Sequence, residues 1–360
     1  MSKIKKFVKW SLIVGAGFIV ILGGFGWWFV SQLSSSAPSS EIKNAMPGSL
    51  PYLTDNPAAK RGRILAVVTS TASFESTGKK TGYELTELSQ AYYVFVANGF
   101  EVDVASPLGG EPPMVRDDED MEVYDYAFLN DTLAQRKIKD TLPMDSVRMD
   151  EYVAIYFVGG KGTMFDFPEN KYIQEAIRIS NEQGKIIGAV CHGPAAFVNV
   201  KLADGTPYLK GRTVSSFTNR EELFLIKNAR VVFPFLLQDK LIENGASFSE
   251  GAMYLENVIT DGNLITGQNP WSTWAVAEAM IIQLGFEPKK RQKSAAENAI
   301  KVLKAFEYAG YDHARKVIRE LNIGENQQIS KNLIALHALI AVMQWKLLKG
   351  FEIIRLLMLV

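Results

Sequence analysis

The sequence predicts an α/β domain in which a mostly parallel sheet lies between two layers of helices, a three-layer sandwich. Two observations carry this. Short apolar runs such as ILAVVTS (64–70), YVAIYFVGG (152–160) and IIGAV (186–190) alternate with stretches of helical spacing. These runs are apolar throughout rather than every second residue, as strands buried on both faces require. A third observation sits outside the domain: residues 10–30 hold no charged side chain over 21 positions.

That N-terminal stretch, as a helix, is about 30 Å long, enough to cross a bilayer core. Lys3, Lys5, Lys6 and Lys9 precede it, and few charges follow. The positive-inside rule then assigns 1–9 to a cytoplasmic tail and 10–30 to a transmembrane anchor. The remainder falls on the extracytoplasmic side of the cell membrane, with Trp27 and Trp28 near the far interface. The rival is a cleaved signal peptide with Ser35-Ser36-Ala37 as the cleavage site, although its apolar core is usually about 7–15 residues. Residues 31–60 are rich in Ser and Pro and read as a linker.

The catalytic region is expected over 61–285. ILAVVTS opens it as a strand. Leu85 to Asn98 has helical spacing and stops at Gly99. EVDVAS (101–106) is a second strand. Residues 111–150 are charged and without clear period, an insertion suited to a cover or a homodimer contact. YVAIYFVGG follows as a strand, then a helix from Asn170 to Gln183 closed by Gly184. IIGAV leads into Cys191, and TVSSFT (213–218) is a further strand. VITDGNLITG (258–267) is a hairpin around Asp261-Gly262. Trp271 to Leu284 is the last helix. Ligands of such sheets bind at the carboxyl ends of the strands. Those ends here are Cys191, the Gly159-Gly160 turn and Ser216-Phe217-Thr218.

Net charge is zero, so nothing in the composition points to nucleic acid. Cys191 is the sole cysteine and excludes an intramolecular disulfide. It ends an apolar run and is followed by His192-Gly193-Pro194, a strand, sharp turn and helix start with a thiol at the tip. A helix N-terminus there favours the thiolate. A buried cysteine acting as a small hydrophobe is the bland reading. Of three histidines, His313 and His337 lie in the C-terminal extension, which leaves His192 as the base for any Cys-His chemistry. Its second ring nitrogen needs an acceptor, and Glu221 and Glu222 are the nearest acids.

The motifs Val190-Cys191-His192-Gly193-Pro194-Ala195-Ala196, Thr81-Gly82-Tyr83-Glu84-Leu85-Thr86-Glu87-Leu88, Ser106-Pro107-Leu108-Gly109-Gly110, Phe217-Thr218-Asn219-Arg220-Glu221-Glu222 and Thr266-Gly267-Gln268-Asn269-Pro270 occur in this order. Together they resemble the ThiJ/PfpI superfamily, of class I glutamine amidotransferase-like fold, over about residues 63–285. The branch they are most similar to is the glyoxalase III and chaperone group. That resemblance implies a flavodoxin-like sandwich and a Cys191–His192–Glu222 triad, with Glu87 beside the thiol as proton carrier. It also implies conversion of methylglyoxal to D-lactate without cofactor or metal. Gly160, Lys161 and His192 are the expected oxyanion and substrate-binding positions. The family often has histidine where this chain has Lys161, which makes the pocket more cationic or leaves a solvated lysine. Asp166 either caps the next helix or touches substrate. Glu84 and Glu87 on one helix, and Glu221 and Glu222 opening another, also suit surface positions. A glutaminase is disfavoured, since His313 and His337 lack the expected glutamate two residues on. A PfpI-like peptidase or amidase and a membrane-tethered chaperone or redox sensor are the remaining alternatives.

The extension, 286–360, opens with a basic segment at 289–293. Residues 294–321 have helical spacing broken at Gly310. Residues 332–360 read as an amphipathic helix with Lys346, Lys349, Glu352 and Arg355 as its polar stripe. Without an unbroken apolar span of about 20 residues it does not cross a membrane; it lies on one or packs on protein. His337 is expected to be structural, not a metal ligand.

Overall fold

The computed structural model of the protein describes residues 23–24, 26–33, 38–117, 121–324 and 328–360. Two compact units emerge: Pro38–Gln292, and Lys293–Val360 with the described residues that precede Pro38.

The larger unit is built on seven strands: β1 (Gly62–Val67), β2 (Phe100–Ser106), β3 (Leu142–Pro143), β4 (Ala154–Phe157), β5 (Ile186–Val190), β6 (Val258–Asp261) and β7 (Leu264–Gly267). Their order across the sheet is β6-β7-β5-β4-β1-β2-β3. Every pairing is parallel except the β6–β7 hairpin at the edge. Val67 pairs with Phe157, Phe157 with Ala189, and Val190 with Gly267, so the carboxyl ends of the four central strands finish level.

The expected helices are α1 (Leu85–Ala97), α4 (Lys171–Glu182) and α7 (Thr273–Gln283); α2 (Val123–Asn130), α3 (Thr132–Lys139), α5 (Asn219–Leu225) and α6 (Leu237–Glu243) complete the layers. Alternation along the strands makes two cores. Ile64, Ala66, Tyr156 and Val190 pack with Leu88, Phe95, Val276 and Met280 on the face carrying α1 and α7. Leu65, Val67, Phe157 and Ile187 pack with Ile173, Ile177, Leu237 and Leu241 on the face carrying α4 and α6. The sandwich is three-layered, as its apolar strands require.

Several expectations are corrected. The run 213–218 is not a strand of the main sheet: only Thr213–Val214 are extended, pairing with Ser247–Phe248 in a separate ribbon. Beyond them the backbone is held by side chains and by the elbow. Ser215 N–H donates to Thr266 Oγ1 at 2.9 Å, and Phe217 N–H donates to Cys191 O at 2.9 Å. The stretch 111–150 is not only a cover. Its helices α2 and α3 bury Tyr126, Phe128, Ala134 and Ile138, and β3 joins the sheet edge. The linker assigned to 31–60 is likewise too long. Ala45, Leu50 and Tyr52 are buried, and Asn130 Nδ2 donates to Lys43 O and Ala45 O, both at 2.9 Å. The compact unit thus begins at Pro38 rather than 61 and ends at Gln292 rather than 285.

In the smaller unit, residues 10–22 and 25 of the expected anchor lie outside the described residues, as does the tail 1–9; residues 26–33 are helical. Among the described residues no helix is long and apolar enough to cross a membrane. The extension folds as α8 (Ala295–Ala309) and α9 (Tyr311–Ile323), divided at Gly310, whose φ of +81° suits glycine. The single helix expected over 332–360 is instead two, α10 (Lys331–Met343) and α11 (Leu347–Leu357), broken at Trp345 with φ +61°. The two helices form a hairpin that packs closely at Gly350, where a Cβ would stand 2.8 Å from Val342 Cγ2. Lys349 of the polar stripe pairs with Glu307, and His337 is buried within α10.

Candidate active site

Cys191 follows the last residue of β5 and turns the chain with φ +58°, a conformation that strains a residue with a side chain. Its backbone is clamped on both sides. Cys191 N–H donates to Gly267 O at 2.9 Å on β7, and its carbonyl accepts from Phe217 N–H. The segment after it is a short 3₁₀ turn, Gly193–Phe197, not an α-helix. A turn of that length has little macrodipole, so the expected stabilisation of a thiolate by a helix end is lost. The thiol is instead 3% exposed. Burial, then the charge of Glu87, push its pKa well above the usual thiol value, with Lys161 opposing. The resting thiol is therefore protonated.

His192 is buried with it. Its Nδ1 lies 3.3 Å from Cys191 Sγ, and its Nε2 lies 2.6 Å from Glu222 Oε2. Phe217 stacks on the ring at 4.7 Å between centroids, and Phe233 lies 6.2 Å away. The His192 carbonyl accepts from Thr163 Oγ1 at 3.0 Å, and that hydroxyl also reaches Gly160 O at 2.9 Å. Thr163 thereby ties the elbow to the Gly159-Gly160 turn. With Nε2–H donated to Glu222, Nδ1 directs its lone pair at the thiol.

Glu222 sits in the first turn of α5 because Thr218 and Glu221 form the capping box that starts the helix. The two adjacent acids separate in role. Glu221 is fully buried and accepts from Thr218 N–H and Oγ1, Tyr254 N–H, Gln268 Nε2 and Asn269 Nδ2. It fastens three loops around the site. Glu222 gives one oxygen to His192, while its Oε1 has no hydrogen-bond partner among the described residues.

Glu87 belongs to α1 and is fully buried. Its carboxyl faces Cys191 and the Gly159 N–H, with no hydrogen bond of good geometry at either oxygen. Burial first, and the nearby Glu84 charge second, raise its pKa well above that of an ordinary carboxyl. Glu84 is raised as well, by burial, with Lys161 and His192 opposing. The turn over the thiol accepts only glycine at its start. A Cβ on Gly159 would lie 2.3 Å from Glu87 Oε2 and 2.7 Å from Val190 O.

The structure thus gathers Cys191, His192, Glu222, Glu87, Gly160 and Lys161 about one point at the strand ends. His313 and His337 belong to the helical unit. Asp166 caps no helix: it accepts from Thr69 Oγ1 at 2.8 Å and Ser70 N–H at 2.7 Å, fixing the loop after β1. Sequence reasoning missed Thr163 and the part played by Glu221. The capping box Thr218-x-x-Glu221 was the available signal for Glu221, since it points that carboxylate back at the helix start. Among the described residues no group of His, Cys, Asp and Glu is placed to hold a metal ion.

Residues 79–283 match the DJ-1/PfpI family. Glyoxalase 3 of Candida albicans is 30% identical over 233 residues, 61% of this chain and 96% of that protein. The glutathione-independent glyoxalase HSP31 of Saccharomyces cerevisiae is 31% identical over 238 residues, 61% of this chain and 95% of that protein. Among solved structures, Rapid Encystment Protein 24 kDa of Francisella tularensis superposes with a TM-score of 0.59 at 35% identity, covering 62% of this chain and 99% of that one. Glyoxalase III of C. albicans superposes with a TM-score of 0.53 at 26% identity, covering 62% and 97%. With a match spanning more than half its length, this chain belongs to the DJ-1/PfpI family.

Proposed function

We propose that the protein is a membrane-anchored, cysteine-dependent glyoxalase of the glyoxalase III type, converting methylglyoxal or a related 2-oxoaldehyde to a 2-hydroxy acid. The observation that carries this reading is the line Glu222–His192–Cys191 with the buried Glu87 carboxyl facing the same sulfur. The names of the relatives support it.

The reaction is internally balanced. R–CO–CHO and water give R–CH(OH)–COOH: the aldehyde carbon is oxidised by two electrons and the ketone carbon reduced by two. No external oxidant or reductant enters. Cys191 Sγ adds to the aldehyde carbon while its proton passes to His192 Nδ1, giving a hemithioacetal. The hydrogen on that carbon leaves as a proton and a proton is delivered to the neighbouring carbon, with Glu87 and His192 as carriers. The resulting thioester takes up water, releasing the acid and the thiol. Glu222 stabilises the imidazolium formed on the way. The N–H groups of Gly160 and His192 have no acceptor among the described residues and suit the developing oxyanion.

The anchor reading rests on the uncharged 10–30 stretch and the lysines before it, which set the N-terminus in the cytoplasm and the catalytic unit outside. The α10–α11 hairpin supports a second membrane contact. Trp345, Leu347, Leu348 and Phe351 are 87, 60, 73 and 58% exposed beside Lys346.

The test is D-lactate formation from methylglyoxal by the full chain and by Cys191→Ala. Turnover in wild type, abolished in the variant, is expected. A folded wild type that forms no lactate overturns the glyoxalase reading.

A further inference from the structure

The Gly159–Gly162 turn lies over the thiol and carries a single side chain. It is wedged on three sides. A Cβ on Gly159 would stand 2.9 Å from Cys191 Cβ, one on Gly160 would stand 2.3 Å from Gly82 O, and one on Gly162 would stand 2.7 Å from Thr69 Cγ2. Lys161, between two such glycines, is the one position with room for more than hydrogen. It is half-buried. Among the described residues no carboxylate lies within ion-pair distance of its ammonium. Lys161 belongs to the turn whose first glycine packs directly on the Cys191 side chain, and its charge bears on Cys191, Glu84 and Glu87 together.

The neighbouring acids are otherwise engaged. Glu222 is bonded to His192, Glu221 accepts from five donors, and Glu87 is fully buried against Gly159. Whatever reacts at Cys191 therefore meets the Lys161 cation in the turn beside it, with Glu84 as its neighbouring acid. Uncharged methylglyoxal makes no use of that cation. An anionic tail does, through a charge-assisted hydrogen bond in a site poorly reached by water. A single positive charge beside Glu84 suits a carboxylate monoanion better than a phosphate dianion.

We propose that Lys161 makes the site selective for 2-oxoaldehydes that end in a carboxylate, with Lys161 holding the carboxylate while Cys191 adds to the aldehyde. This rests on the glyoxalase reading above and goes beyond it in substrate class. The carboxylate is a spectator, so the bond changes are those already given.

The experiment compares kcat/KM for 4,5-dioxopentanoate, a carboxylate-bearing 2-oxoaldehyde, with kcat/KM for methylglyoxal. It uses the full chain as wild type, Lys161→Met and Lys161→Arg. Wild type is expected to favour the acid by at least tenfold. In Lys161→Met that ratio falls to about one, chiefly through KM for the acid, and Lys161→Arg restores most of it. Loss of fold or of thiol chemistry lowers both substrates together and leaves the ratio standing, so the ratio isolates the charge. A wild type that prefers methylglyoxal, or a ratio unchanged in Lys161→Met, overturns the proposal alone. Turnover of neither substrate by a folded wild type overturns the glyoxalase reading and this proposal with it.

Discussion

His192 Nε2 lies 2.6 Å from Glu222 Oε2, although the two residues sit 30 apart in sequence. The contact sets the tautomer of the only imidazole that reaches the thiol, because a proton held on Nε2 leaves Nδ1 free to accept.

Glu222→Gln keeps the size of the side chain and removes its charge. An amide can donate to Nε2 and turn the ring's proton toward sulfur. Turnover of methylglyoxal is expected to fall by about 10²-fold or more, mostly in kcat, with the melting temperature nearly unchanged. Activity within threefold of wild type would show that Glu222 does not orient the base.

Cys191 should alkylate slowly. Its pKa is raised by burial and by Glu87, so little thiolate exists near neutrality. The chain has one cysteine, which makes iodoacetamide incorporation a direct readout. The rate should climb through pH 9 without a plateau. A plateau near pH 7 would mean that the resting state is a thiolate.

Glu221→Ala should damage the fold rather than one chemical step. It strands five donors, in Thr218, Tyr254, Gln268 and Asn269, inside a fully buried pocket. Leaving such groups unsatisfied costs about 3 kcal/mol or more. The check is the urea midpoint, with Glu222→Ala as the comparison; equal midpoints for the two variants would contradict the division of roles.

Asp125 and Asp166 give the stability a pH dependence. Burial raises each to about 6 against partly opposing hydrogen bonds, from Ser89 for Asp125 and from Thr69 for Asp166. A carboxyl group whose pKa is higher in the folded state holds its proton more tightly there. Its contribution is then complete below about pH 4 and is lost as pH rises through about 6, some 3 kcal/mol per group at most. From these two groups, the urea midpoint should increase as pH is lowered from 7 to 5. Asp125→Asn should flatten that rise. An unchanged slope in the variant would remove Asp125 from the account.

Much of the architecture was readable because it is local. Continuous apolar runs alternating with helical stretches located the central strands, and the Cys191-His192-Gly193-Pro194 string marked the elbow. Where patterns were weak, the reading slipped. In 111–150 the charged stretch hid the apolar positions Tyr126, Phe128 and Ile138, which reach the core only once α2 and α3 form. Ala45, Leu50 and Tyr52 were too few to outweigh the surrounding Ser and Pro, yet the folded domain offers them a surface to bury against.

By itself the sequence determined the sandwich class, the position of the thiol at a strand end and the residue types available to it, since periodicity and turn chemistry act over a few neighbours. Tertiary structure decided what those residues are in chemical terms. Glu221 and Glu222 are adjacent acids on one helix, and only packing makes one a scaffold and the other the partner of His192. Glu87 and Cys191 both have raised pKa values because each is sealed from water beside the other. Burial of that kind is a property of the assembled layers, which no local stretch of chain encodes.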